Sequence, residues 1–124
     1  KKLIKLHRCV AVADGFYEWK RDEKNKIPHY FTRADKKLMY IAAIYENEEF
    51  CLITEQASQN ISYVHYRQPV ILNEGDVNKY LNLELDGSSF LKLCKKPKLE
   101  FYKVSKDVNK PTNNSISLIQ KVSD

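Results

Sequence analysis

Two stretches of this sequence and its three cysteines hold the side chains that could do chemistry: the carboxylate in "GFYEWK", and the imidazole and guanidinium in "YVHYRQPVIL". Glu18 lies between Tyr17 and Trp19. Side chains of an extended chain alternate between faces, so Phe16, Glu18 and Lys20 share one face while Tyr17 and Trp19 share the other. On a partly closed face, a carboxylate beside an aromatic suits proton transfer. On an open sheet edge the same residue is an ordinary solvated Glu. His65 and Arg67 face the same way in extended chain, just ahead of Pro69. A neutral imidazole beside a guanidinium can pair a proton carrier with a phosphate anchor; a structural histidine satisfied by backbone fits the pattern as well. Cys9, Cys51 and Cys94 are odd in number, widely spaced and in apolar company, which suits free thiols in a reducing compartment better than a disulfide frame. His7 and Cys9 could begin a metal site, but no CxxC or HxxxH completes it, so no metal is expected. A thiol hydrolase built from Cys9 or Cys51 with His65 is the weaker enzyme reading, because Cys9 lies in an apolar strand and no oxyanion motif is visible.

The elements that must position these residues follow from period and punctuation. Residues 8–13 and 15–20 read as strands joined near Asp14-Gly15, and Lys24-Asn25-Lys26 as a polar turn. Pro28 opens a third strand, "PHYFTR". The run "LMYIAAIYE", 38–46, leans to strand through its β-branched and aromatic residues. It forms a hairpin with "EFCLIT", 49–54, through a turn around Asn47. Residues 56–63 suit a short helix and "QPVIL" a short strand. Helices are expected over 73–82, with acids early, and over 87–96, with a Ser cap and terminal lysines, until Pro97 stops the second. "LEFYKVS", 99–105, alternates as a strand, and the tail from 106 reads as loop. The expectation is one α+β domain over 1–124, mostly antiparallel strands with a few short helices, and a loop-rich tail over 106–124.

The 124 residues and 43% hydrophobic content suit one globular domain with a real core. No apolar run is long enough for a membrane helix and no signal-peptide pattern is present. The net charge of +5 is unevenly spread. Residues 1–20 carry five basic and two acidic side chains, 21–90 carry eight and eleven, and 91–124 carry eight and three. Basic ends around an acidic middle fit a polyanionic partner, and fit a solvated lysine-rich surface equally well.

Taken together and in order, "RCVAVADGFYEWK", "PHYF", "CLIT", "VHYRQPVIL" and "VSKDVN" resemble the SRAP (SOS response-associated peptidase) family, from Arg8 to about Ser115. The paired "ADGFYEW" and H-x-R-x-P signatures are the specific part. The resemblance implies a barrel-like SRAP fold, N-terminally incomplete here. It implies an intracellular monomer, nuclear if eukaryotic and cytoplasmic if bacterial, that senses abasic sites on single-stranded DNA in the DNA damage response. Family members do so by a thiazolidine crosslink through an N-terminal Cys, the residue that also carries out autoproteolytic N-terminal processing. Residue by residue, the resemblance makes Glu18 and His65 catalytic and Trp19, Arg67 and Thr54 DNA-binding, with no cofactor.

The sequence also departs from the family. Its opening "CGR" segment, and an Asn and an Arg of its N-terminal half, have no counterpart here, and Gln68 stands where the family usually has Met. A thiazolidine needs a thiol and a free α-amine on one residue. Cys9, Cys51 and Cys94 are internal, so none can serve. The nucleophile is therefore expected outside this sequence. The alternative is a non-covalent single-stranded DNA-binding module, or a degenerate copy without chemistry.

Overall fold

A computed structural model describes residues 3–123. The helices are α1 (Leu3–Leu6), α2 (Glu74–Leu81) and α3 (Gly87–Leu93). The strands are β1 (Arg8–Ala13), β2 (Phe16–Asp22), β3 (Asn25–Arg33), β4 (Met39–Glu46), β5 (Glu49–Leu52), β6 (Thr54–Gln56), β7 (Arg67–Pro69), β8 (Ile71–Leu72) and β9 (Leu99–Lys103). Every strand pairing is antiparallel. The fold is α+β, and the described strands form three sheets that do not close into a barrel.

β4 organises the first sheet. β1 runs along one side of it, from Arg8↔Ile44 to Ala13↔Met39. β5 and β8 share the other, at Ala43↔Leu52 and Ile41↔Ile71. The β4–β5 hairpin turns at Asn47, whose φ of 58° is the left-handed conformation that Asn tolerates. β2, β3 and β9 make the second sheet, and β6 with β7 the third. Met39, Ile41, Phe31, Ile61 and Ile71 fill one core cluster. Ala42, Val70, Leu72, Tyr80 and Leu91 fill another, under α2 and α3.

The strands 8–13 and 15–20 are present but do not pair with each other; the chain changes sheets at Asp14–Gly15. A Cβ on Gly15 would overlap the Phe31 carbonyl and stand 2.6 Å from the Tyr30 ring, so only glycine lets the crossing chain pass this close. The polar turn is tighter than the sequence suggests. It is Glu23-Lys24, with Glu23 at φ 56°, and β3 begins at Asn25 rather than Pro28. Pro28 is tolerated inside the strand because it sits where the ladder to β9 ends: its carbonyl still accepts from Val104 N–H at 3.1 Å, and only the terminal reciprocal bond goes without an N–H. The segment 49–54 breaks at Ile53, whose N–H donates to Ala42 O and whose carbonyl accepts from Val70 N–H. Beyond it the chain leaves β4 and pairs with β7.

α3 is capped by Asp86, not by a serine: its carboxylate accepts from the N–H groups of Ser88 and Ser89. The helix ends at Leu93, short of the expected lysines. The tail holds two 3-10 turns, Lys106–Asn109 and Ile116–Ile119. It docks on the second sheet, where Leu118 is buried and its carbonyl accepts from the Tyr17 hydroxyl at 3.3 Å. The short helix α1 was not legible in advance. It sits beside Arg8, whose buried guanidinium donates to the carbonyls of Tyr80 (2.8 Å), Asn82 (3.0 Å) and Leu85 (2.7 Å). The cation thus caps the negative end of α2 and ties it to β1.

Candidate functional site

β2 and the segment 62–66 form the two walls of a cleft of about 740 Å³. Strand alternation puts Phe16, Glu18 and Lys20 on one face of β2. Phe16 stacks on Phe31 in the core at a centroid distance of 4.8 Å, which anchors that face inward. Two residues on, Glu18 emerges at the cleft. Opposite it, the 3-10 turn Ile61–Tyr63, rooted by the buried Ile61, carries the chain to His65. Glu18 Oε1 and His65 Nε2 are 3.9 Å apart, with side chains 28% and 32% exposed. That separation is too long for a hydrogen bond. It lets one oxygen, lying to the side, come within hydrogen-bond reach of both groups.

His65 is held from behind by the backbone of Arg67. Its Nδ1 is 3.2 Å from the Arg67 N–H, a donor, and 3.0 Å from the Arg67 carbonyl, an acceptor. A neutral ring with a bare Nδ1 accepts the first and presents Nε2–H to Glu18. A ring protonated at Nδ1 donates to the second. One ring position therefore serves both states, as a proton carrier requires. Tyr66 stacks on the imidazole at 5.0 Å and an interplanar angle of 23°.

The other predicted residues lie around this pair. Thr54 and Arg67 meet across the β6–β7 ladder. Arg67 Nη2 donates to the Thr54 carbonyl at 2.8 Å and to its hydroxyl at 3.1 Å. Arg67 faces a neighbouring hollow that shares Ser62 and Tyr66 with the main cleft. Trp19 borders the cleft from the far face of β2. Its indole N–H donates to Asn109 Oδ1 at 2.6 Å, and its ring is 6.3 Å from that of Tyr17. Gln68 is buried and its Oε1 accepts the Ser58 N–H at 2.9 Å, so an amide here fastens the loop before the 3-10 turn.

The cysteines stand apart from this cleft. Burial pushes the thiols of Cys9 and Cys94 above their ordinary range, which disfavours the thiolate a thiol hydrolase would need. Cys51 is exposed on β5. Among the described residues, no three His, Cys, Asp or Glu side chains converge as a metal site would require. None of the described helices is long and apolar enough to cross a membrane.

Sequence reasoning passed over most of the cleft's lining. Lys20, Arg21 and Lys26 supply cations, and Tyr63 and Tyr66 supply aromatic surface. Their signal is the interleaving of basic and aromatic residues in "YEWKRDEKNK" and "SYVHYR". It becomes meaningful only when the fold sets the two segments face to face.

A family model described as SOS response associated peptidase (SRAP) matches residues 1–111. An abasic site processing protein of Saccharomyces cerevisiae is 32% identical, over 91% of this chain and 35% of its own length. One of Bacillus subtilis is 33% identical, over 97% of this chain and 60% of its own. One of Escherichia coli is 29% identical, over 98% and 61%. The chain thus spans between about a third and three fifths of the length of these relatives. A crystal structure of a Bacteroides thetaiotaomicron protein superimposes with a TM-score of 0.83 at 24% identity, covering 98% of this chain and 60% of that one, a likeness of fold. With nearly its whole length matched by the family model, this chain belongs to the SRAP family.

Proposed function

We propose that the cleft between β2 and residues 62–66 receives an abasic site in single-stranded DNA, and that Glu18 and His65 move the protons of a covalent capture reaction there. The observation that carries this reading is the Glu18–His65 pair, 3.9 Å apart at a cleft bordered by cations and tyrosines. The relatives, abasic site processing proteins, support the substrate. In this reading His65 Nε2 gives a proton to the sugar ring oxygen while the anomeric hydroxyl gives its own proton to water, and the ring opens to the aldehyde. Glu18 takes a proton from an α-amine, which adds to the aldehyde carbon. Loss of water gives an imine, and a thiol on the same residue adds across it to close a thiazolidine. That residue is an N-terminal cysteine outside this sequence, since Cys9, Cys51 and Cys94 are internal. Arg67, steadied by Thr54, holds a flanking phosphate, and Trp19 stacks a base at the kinked strand.

A second reading is a module that binds single-stranded DNA without bonding to it, and the cations and tyrosines lining the cleft favour it, since they serve strand binding with no covalent step. One experiment separates the two. Labelled abasic and intact oligonucleotides are titrated with the chain by fluorescence anisotropy, and the abasic mixtures are then run on a denaturing gel. The first reading expects tighter binding of the abasic strand and no heat-stable band from this chain alone. Equal affinity for the two strands supports the second. A heat-stable band that persists in Cys9→Ser protein contradicts placing the nucleophile elsewhere.

A further inference from the structure

Several features of the cleft have no role in the proton chemistry. Tyr66 is 74% exposed, although one side of its ring stacks on His65. Burial usually hides so large a ring, and here most of it faces solvent. Tyr66 also stands on the divide between the Glu18–His65 cleft and the hollow of Arg67. Toward the other end, Lys20 Nζ lies 4.1 Å from the Tyr63 ring centroid and donates to the Tyr63 carbonyl at 3.1 Å. Its charge is therefore fixed at the cleft wall rather than waving in solvent. Arg21 and Lys26 are register partners across the β2–β3 hairpin and line the same cleft. Among the described residues, neither has a carboxylate within ion-pair distance. Three cations thus border the cleft against the single carboxylate of Glu18, Lys20 from Glu18's face of β2 and Arg21 with Lys26 from the edge on Trp19's face. Arg21 lies about 10 Å beyond Glu18 along β2, at the usual rise per residue.

These residues form one strip: Arg21 and Lys26, then Lys20 with Tyr63, then Glu18 with His65, then Tyr66, then Arg67. Cations spaced along an extended groove, with flat aromatic surface between them, are what an unpaired nucleic-acid strand needs. Phosphates meet the cations, and a base with no partner stacks on an exposed ring. We propose that this strip is the track of the DNA strand through the site: Tyr66 is the platform for a base next to the lesion, and Lys20, Arg21 and Lys26 hold the phosphates on the side away from Arg67. The proposal rests on the cleft being a single-stranded DNA site but not on any covalent step. It extends the site to residues that the family resemblance does not reach.

The test uses intact single-stranded oligonucleotides, so the chemistry plays no part. Affinity is measured by anisotropy across a salt series for the 124-residue chain, Tyr66→Ala, Tyr66→Phe and the double variant Arg21→Gln/Lys26→Gln. All three positions are exposed or at the hairpin end, so the fold stays intact, and thermal melting confirms it. Tyr66→Ala is expected to weaken binding on the order of tenfold with the salt slope unchanged, while Tyr66→Phe keeps wild-type affinity. The double variant is expected to lower the slope of log affinity against log salt by about 1.4, since each lost phosphate contact on a single strand accounts for about 0.7. If wild type binds single strands and both Tyr66→Ala and the double variant match it, the track is wrong while the function of the cleft stands. If wild type binds no single strand, or binds duplex equally well, the track and the function fall together.

Discussion

Arg67 commits much of its guanidinium to one residue. Nη2 meets the carbonyl of Thr54 at 2.8 Å and its hydroxyl at 3.1 Å, and Nε meets that hydroxyl at 3.3 Å. The Nη1 donors are left over for the flanking phosphate that the proposed function assigns to Arg67. Thr54→Val keeps the shape and removes the hydroxyl. It is expected to weaken single-stranded DNA binding by about 1 kcal/mol, with Thr54→Ser close to wild type. Anisotropy titrations of the three proteins provide the check. An unchanged Thr54→Val would mean that Arg67 is held by the carbonyl alone or takes no part in binding.

Arg8 is expected to be among the least replaceable residues. It is 7% exposed, and its guanidinium satisfies the carbonyls of Ile4, Tyr80, Asn82 and Leu85. Arg8→Met should cost on the order of 3 kcal/mol in urea unfolding, because several carbonyls lose their donor at once. Gly87→Ala should destabilise as well, since its Cβ would come within 2.8 Å of Arg8 Nε.

Tyr80 predicts an alkaline limit to stability. Its hydroxyl donates to the Ala43 carbonyl at 2.6 Å, and burial pushes its pKa up to about 12. The unfolded chain ionises this phenol near 10. A raised folded pKa means stability that is complete below pH ~10 and lost as pH rises toward about 12, because only the unfolded chain releases the proton easily. Tyr80→Phe should lower stability at neutral pH and flatten this alkaline limb. A limb of unchanged steepness in Tyr80→Phe would assign it to other groups.

The thiols should react in a set order. Cys51 is exposed, whereas burial raises the thiols of Cys9 and Cys94 and shields them. Iodoacetamide labelling of the native chain at neutral pH, followed by mass spectrometry, should modify Cys51 first. Early modification of Cys9 would contradict the packing of β1 against β4.

How much of this was legible beforehand depends on whether a feature is local. The alternation around Glu18 set its face, and Asn47 marked the hairpin turn, because both are decided within a few residues. Partner choice was not legible. Nothing in the pattern of 8–13 says that it pairs with β4 rather than with its neighbour β2, and the close approach at Gly15 is visible only once Tyr30 and Phe31 are in place. The break at Ile53 has the same origin, since a residue that bonds to Ala42 on one side and Val70 on the other answers to tertiary geometry. At the site, Glu18 and His65 were legible through the family motifs. Tyr66, Tyr63 and the cations of the β2–β3 hairpin were not, because each alone looks like an ordinary surface residue.

The central claim, that Glu18 and His65 move protons at an abasic sugar, is tested most directly by supplying the proposed cysteine nucleophile in trans. A short peptide with an N-terminal cysteine is mixed with an abasic oligonucleotide, and thiazolidine formation is followed over time with wild-type chain, Glu18→Gln and His65→Gln. Wild type is expected to accelerate condensation at least tenfold over the peptide alone, with each substitution removing most of that gain while oligonucleotide affinity is retained. Identical rates for all three proteins at equal affinity would contradict the account.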